Sequence, residues 1–246
     1  RAILLNGKNW EKIRHEIKPE IIYSYMPSIS AEDVPDYYLP ALSPFGMPLA
    51  SLSSDPLSGQ NAVAWSLTNT LTARVKDQGG SLSYLEFFRL KVFQAYDIDE
   101  ARRDMARNAP ERRPFSDMGI EFDFSPHKYF SFRMRDKYNV YSGWKQNSYD
   151  LSLRDWRGDA LLVAYRNTEG LVEEINLGVK AVITDHFYST FVQKRDLQDA
   201  RKIENSLGFV YHTQCWSLGF DLSDTDDDVR FLFRISLAGF GKTADK

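Results

Sequence analysis

Side-chain alternation is the feature that most restricts this chain. Over segments of about nine to sixteen residues, apolar and hydrophilic side chains exchange places at every step, the period of a β-strand with two unlike faces. In residues 171–183, Leu171, Glu173, Ile175, Leu177, Val179, Ala181 and Ile183 share one face, and Val172, Glu174, Asn176, Gly178, Lys180 and Val182 the other. Residues 115–124 set Met118, Ile120, Phe122 and Phe124 against Asp117, Gly119, Glu121 and Asp123, and residues 128–137 set Phe130, Phe132 and Met134 against Ser131, Arg133, Arg135 and Lys137. Residues 60–76 divide Val63, Trp65, Leu67, Leu71, Ala73 and Val75 from Ala64, Ser66, Thr68, Thr70, Thr72 and Arg74. Further strands are predicted over 12–27, 80–96, 144–156, 159–167, 187–195, 202–211, 214–222 and 229–239. That makes about twelve, with no convincing amphipathic helix; residues 98–108 read equally well as a short helix or a solvated loop.

Strand length selects among all-β folds. Strands of soluble sandwiches and propellers average about five or six residues, whereas a tilted strand crossing a bilayer needs about nine to eleven. Several segments here exceed ten, and no internal repeat supports a propeller. The expected fold is therefore an all-β, antiparallel transmembrane β-barrel. Its low bulk hydropathy is no objection, because only alternate residues of such a strand meet lipid. Hydrophobic residues are 43% of the 246 and charged residues 26%, and no run approaches the roughly 18 apolar residues of a spanning helix. Aromatic residues, 14% of the chain, suit interfacial girdles, though a sandwich core would use them too. The net charge of −3 offers no reason to expect nucleic acid.

Connections read as long (28–59, 97–114) or tight (77–79, 125–127, 157–158, 184–186, 212–213), with medium ones between. If the last strand ends in the periplasm, tight connections fall on the periplasmic side, with 168–170 the external exception. The two long loops are expected outside, folded over the mouth. Residues 28–59 carry Tyr37, Tyr38, Leu39, Leu42, Phe45 and Leu49 among prolines, and such side chains want cover.

Catalytic constellations are missing from the pattern. His15, His127, His186 and His212 have no metal-ligand spacing, and Cys215 follows no nucleophile motif. No cofactor or metal site is expected. Asp224, Asp226, Asp227 and Asp228 read as a solvated hairpin tip, with a calcium site the less favoured alternative. Asp97, Asp99, Glu100, Arg102, Arg103, Arg107, Arg112 and Arg113 form a mixed-charge loop, either for solubility or for contact with anionic headgroups. Pro19 cannot donate to a ladder, so a bulge or weakened pairing is expected there. Cys215 is the only cysteine; it is either free and buried or joined to a partner outside this chain.

Several segments carry a family resemblance. Arg14-His15-Glu16-Ile17-Lys18-Pro19-Glu20-Ile21-Ile22-Tyr23-Ser24-Tyr25-Met26-Pro27 is similar to the Leu-Glu-Pro-…-Tyr-…-Tyr-Val-Pro stretch of the lipopolysaccharide-assembly (organic solvent tolerance) family. Gln60-Asn61-Ala62-Val63, then Leu67-Thr68 and residues 70–77, resemble its Asn-Gln-Val strand. Tyr211-His212-Thr213-Gln214-Cys215-Trp216-Ser217 resembles its Tyr-…-Cys-Cys or Gln-Cys-Trp signature, and residues 230–241, with Leu237-Ala238-Gly239-Phe240-Gly241, its closing strand. Two departures are the single cysteine where many members have two adjacent ones, and the lack of the family's amino-terminal periplasmic jelly roll. The chain begins without an initiator Met or signal peptide and reads as a fragment or processed product.

The resemblance implies that residues 1–246 are a single segment, the carboxy-terminal half of a barrel of about 26 strands. It implies an outer-membrane translocon, not an enzyme, that inserts lipopolysaccharide through a lateral gate. The gate strand would be 229–239, with Val229, Phe231, Phe233, Ile235 and Leu237 toward lipid and Arg230, Arg234 and Ser236 inward. Glu121, Asp123, Arg133, Arg135, Glu174 and Lys180 would face the lumen. Implied partners are lipopolysaccharide, an LptE-type plug lipoprotein, an LptA-type periplasmic bridge reached through the missing domain, outer-membrane lipids and the barrel-assembly machinery. Cys215 would carry the family's disulfide to the periplasmic domain. A porin or plugged receptor barrel shares the same strand pattern. A barrel-wall phospholipase would need a serine beside the outward-facing His15, and a soluble β protein would not need detergent.

Overall fold

A computed structural model describes residues 4–5, 8–27, 60–76, 80–104 and 110–237. Within them the strands are β1 (Leu4–Leu5), β2 (Lys8–Met26), β3 (Gln60–Lys76), β4 (Leu82–Asp97), β5 (Met118–His127), β6 (Phe130–Asn139), β7 (Gly143–Arg154), β8 (Ala160–Thr168), β9 (Val172–Thr184), β10 (Phe187–Asp196), β11 (Arg201–His212), β12 (Trp216–Thr225) and β13 (Val229–Leu237), with one short helix, α1 (Ile98–Arg102). They hydrogen-bond in sequence order as one antiparallel sheet. Each predicted strand is present, and β1 is added to them. Beyond β1, strands run from 9 residues in β8 to 19 in β2, the lengths a bilayer asks of tilted strands. No helix among the described residues is long and apolar enough to cross a membrane.

The chain forms two compact units, residues 1–123 with 135–146 and residues 124–134 with 147–246. In the first, side-chain phase is kept by bulges. Along β4 the apolar residues change phase, from Leu85 and Phe87 to Phe88, Leu90 and Val92. The ladder with β3 skips one residue at that point, pairing Leu71 with Phe88 and Thr72 with Glu86. The extra residue, Phe87, restores the apolar positions to one face. A second bulge at Glu11 does the same between Trp10, opposite Val75, and Ile13, opposite Ala73. Trp10 and Phe87, brought onto this face by the two bulges, have ring centroids 4.6 Å apart.

Burial is inverted relative to a water-soluble protein. The apolar face keeps its large side chains outside: Ile17 is 56% exposed, Ile21 78%, Tyr25 65%. Between β3 and β4, away from the bulges, the small and polar face is the covered one, with Ala62, Ala64, Ser66, Phe93, Ala95 and Asp97 all buried; Ala64 pairs with Ala95 and Ser66 with Phe93. Beside the bulges, Ala73 and Val75 of the apolar face are covered as well. Ser116 adds two bonds there, its amide donating to the Ala95 carbonyl and its hydroxyl accepting from the Ala95 amide. A glycine makes this packing possible. The Phe93 ring occupies the space that a Cβ at Gly119 would take.

The described parts of the mixed-charge loop are held by their own charges; residues 105–109, with Arg107, lie outside the described residues. Asp97 caps α1 by accepting from the amides of Asp99 and Glu100. Arg103 binds Glu100 in a two-pronged ion pair and also the Pro110 carbonyl; Arg112 donates to the Arg103 carbonyl. The Arg113 guanidinium lies over the Tyr141 ring. These arginines hold the loop, and the Arg103 bonds keep the Glu100 carboxyl below its ordinary range.

Three expectations are corrected. The β5–β6 turn is at residues 128–129, not 125–127, because strand pairing continues past Pro126 and the His127 ring accepts the Tyr129 amide. The ladder is unbroken at Pro19, where Lys18, Pro19 and Glu20 pair with Thr68, Leu67 and Ser66. A non-hydrogen-bonded position sends the missing donor to the other edge of β2, so no bulge is needed. The connections after β5 also lose their contrast of lengths: 155–159 and 213–215 on one end are matched by 140–142 and 226–228 on the other. At 140–142 and 226–228 the strands extend into residues that read as loop, since a hydrogen-bonded ladder does not require alternation to persist; at 155–159 and 213–215 they stop short of residues that read as strand. Residues 28–59, 77–79 and 238–239 lie outside the described residues.

Replacing Gly119 by Val should cost about 1–3 kcal/mol through overpacking against Phe93. Urea unfolding of the detergent-folded protein measures this, and Phe93→Ala in the same background should relieve part of the cost.

Candidate functional site

The strand expected to form a gate, β13, is the last in the sheet order and pairs with β12. Val229, Phe231, Phe233, Ile235 and Leu237 are 54%, 69%, 62%, 61% and 54% exposed. They lie opposite Asp224, Leu222, Phe220, Leu218 and Trp216, a continuous apolar surface ending in one carboxylate. Arg230, Arg234 and Ser236 take the other face, where Arg234 lies against Gly219 and reaches Asp221 at 3.4 Å. Gly208 leaves the room on that face for Asp221, whose carboxylate, with the Thr190 hydroxyl, occupies the place of a Cβ.

The charged residues assigned inward do not stand alone. The Arg135 guanidinium meets both Asp123 oxygens, at 2.9 and 2.8 Å, and the Phe122 carbonyl. Glu121 has the parity of Asp123 and is half-buried; Arg133 is exposed. Glu174 accepts from Asn176 and is opposite Arg166. The Lys180 ammonium lies 4.4 Å from the centre of the Tyr188 ring. Alternation had marked these residues one at a time. It did not reveal their partners, or the pairs Arg166–Asp150 and Lys194–Glu204, each at 2.7 Å. The strands of those pairs were recognised; their register, which decides who faces whom, was not. Partly exposed pairs such as these contribute about 0–1 kcal/mol each, so their value lies in setting the charge pattern of the face.

Cys215 is exposed and lies in the connection 213–215, before β12 begins at Trp216. It was expected inside that strand. Thr213 holds the turn instead, its hydroxyl accepting from the Cys215 and Trp216 amides. The acidic tip is a hairpin turn at 226–228, and cations hold it: Arg201 to Asp226, Lys202 to Asp224 and Arg230 to Asp228. Two of the four histidines, His186 and His212, come together with ring centroids 5.9 Å apart. Among the described residues no group of three or more His, Cys, Asp or Glu could hold a metal ion.

The Phe88 and Phe122 rings meet edge to face at 5.3 Å on the apolar surface, which separates Phe122 from Glu121. Phe122→Arg should therefore impair folding into lipid vesicles by about 2–4 kcal/mol near the midplane, while Glu121→Arg is tolerated. The reverse ranking would invert the faces.

No curated protein matches the chain. The sequence profile of the LptD family, described as LPS transport system D, matches residues 5–190. That span takes in β2 through β9 and the start of β10, including the Pro19 strand and the Gln60-Asn61 segment, and ends before Cys215 and β13. Well over half of the chain is covered, and the chain belongs to the LptD family of LPS transport proteins.

Proposed function

We propose that this chain forms wall strands of an outer-membrane barrel of about 26 strands that delivers lipopolysaccharide to the outer leaflet. The observation that carries the reading is the inverted burial: strands of 9 to 19 residues expose their large apolar side chains on one face and gather charges on the other. In water such a surface would aggregate; against lipid it is the low-energy arrangement, and the polar face then lines a lumen wide enough for sugars. Family membership supplies the cargo. Acyl chains leave sideways while the saccharide passes through the lumen, with an LptE-type lipoprotein as plug and an LptA-type bridge delivering substrate to a jelly-roll domain. The barrel-assembly machinery folds the wall.

The seam is assigned to β13. Its ladder to β12 leaves the opposite edge for the barrel's first strand, and a side-chain ion pair to Asp221 keeps β13 with its neighbour. Parting on the other side then leaves the ladder to β12 intact. A disulfide engineered between β13 and the first strand of the whole protein should stop lipopolysaccharide export and be lethal or nearly so. Normal export across a fully crosslinked seam would sink lateral release here.

Cys215, exposed in a turn, is reachable by a thiol outside this chain, and an oxidising compartment favours the bond. It is proposed to tether the periplasmic domain. Non-reducing electrophoresis of the intact protein should show a mobility change on reduction that Cys215→Ser abolishes. Free reaction of Cys215 with a maleimide in the oxidised protein would exclude the tether.

A further inference from the structure

We infer that the polar face of the second unit holds a binding groove for the phosphorylated head of a glycolipid. The inference rests on the transport reading above and names the chemistry that one part of the wall recognises. The groove has a volume of about 740 Å³ and is lined by Lys128, Arg133, Arg154 and Arg166, with Asp150 its one carboxylate. Asp150 is already bound to Arg166 at 2.7 Å, so the lining keeps a surplus of positive charge. The volume lies within the range of about 300–1,000 Å³ that small-molecule sites occupy.

Local structure brings the cations together. Lys128 stands in the β5–β6 turn and Arg154 closes β7. The Arg154 amide donates to the Tyr129 carbonyl at 2.8 Å, which fastens the end of β7 beside that turn. The Lys128 ammonium is seated 4.8 Å from the Tyr129 ring centre. Between the cations, Leu162, Ala164 and Gly178 line the groove, and at Gly178 only the Leu162 side chain would meet an added Cβ, at 3.5 Å. Small and apolar residues flanked by guanidinium and ammonium groups suit a sugar ring whose phosphates reach the cations. Arginine meets phosphate with two parallel N–H···O bonds, and lysine meets it as a point charge.

Cations at the two ends of the strands are disposed differently. In an antiparallel sheet, the 128–129 turn and the end of β7 lie at one end of the strands, and the 226–228 turn lies at the other. The far end carries Asp224, Asp226, Asp227 and Asp228, and the cations there are engaged by them, Lys202 with Asp224, Arg201 with Asp226 and Arg230 with Asp228. The first unit has a smaller groove of about 510 Å³ lined by Lys12, Arg14 and Arg74, but there Arg74 is paired with Glu11 and Arg14 with Glu16, so it lacks that surplus of charge.

The test is a titration of the purified protein in detergent with three probes: a diphosphorylated disaccharide glycolipid, its dephosphorylated counterpart and inorganic phosphate. The wild type should prefer the phosphorylated glycolipid, with an affinity that falls as salt rises. Lys128→Gln with Arg154→Gln should weaken that binding by about ten-fold or more and leave the dephosphorylated glycolipid unaffected. Lys128→Arg with Arg154→Lys, which keeps both charges, should retain most of it. Arg201→Gln, at the acidic end, should match the wild type. Equal binding of both glycolipids, unchanged in the Gln variant, would overturn the groove and leave the transport reading standing; failure of the wild type to bind either would overturn both. Inorganic phosphate that displaces the glycolipid at equal concentration would mark a general anion site and overturn the glycolipid assignment.

Discussion

Everything in this structure depends on the backbone hydrogen-bond ladder. A strand satisfies half of its backbone groups on each side, and in a hydrocarbon solvent any group left unpaired costs several kcal/mol. Pairing therefore comes first, and side chains follow its geometry: successive residues point to opposite faces whatever their chemistry. Strand β13 can put Phe231, Phe233 and Ile235 on one surface only by spacing them two apart. Where the spacing slips, at Glu11 and Phe87, a bulge absorbs the extra residue. The alternative, a register shift, would move the whole apolar set to the wrong face.

The same geometry explains why so little of the chain is a conventional core. Four of the seven buried hydrophobic residues among those described are alanines. A face that must stay polar cannot fill space with aliphatic side chains, so it uses close approach. Phe93 lies on Gly119 and Asp221 reaches across Gly208, large groups laid over backbone that has no Cβ. Charges on this face are arranged in cross-strand pairs, Arg135–Asp123, Arg166–Asp150, Lys194–Glu204 and Arg234–Asp221. Each remains partly exposed and can rearrange at low cost.

Turns and caps use the remaining polar groups locally. Asn139 accepts two amides of the 140–142 turn, Asp155 accepts those of Arg157 and Asp159, and Gly170 supplies a φ of 72° that a residue with Cβ rarely adopts. The arginines of the 97–114 loop follow the same rule. On composition they were candidates for lipid headgroups; in the fold Arg103, Arg112 and Arg113 hold a short helix and the chain after it in place. Compositional charge said that this loop would be polar, and geometry decided that much of the charge would be spent internally.

What the sequence determined by itself was the parity of each strand. Alternation is a nearest-neighbour property, so Val63 with Trp65 and Leu67, or Ile175 with Leu177 and Val179, could be assigned to one face without any partner. The family was legible for the same reason, in short ordered segments around Pro19 and Asn61. Tertiary structure decided the register. Asp150 and Arg166 are 16 positions apart, and their meeting depends on where the chain turns at 155–159. Alternation contains no information about that, since it looks alike at every even offset. Turn positions differ from the pattern in both directions: pairing outlasts it at Pro126, and at Cys215 the strand begins later than the pattern, at Trp216. A ladder ends when backbone geometry ends it, and a polar side chain at its tip does not stop it sooner. The basic groove was invisible for the same physical reason: it joins turn, strand end and mid-strand residues from the β5–β6 turn through β10, which only pairing brings side by side.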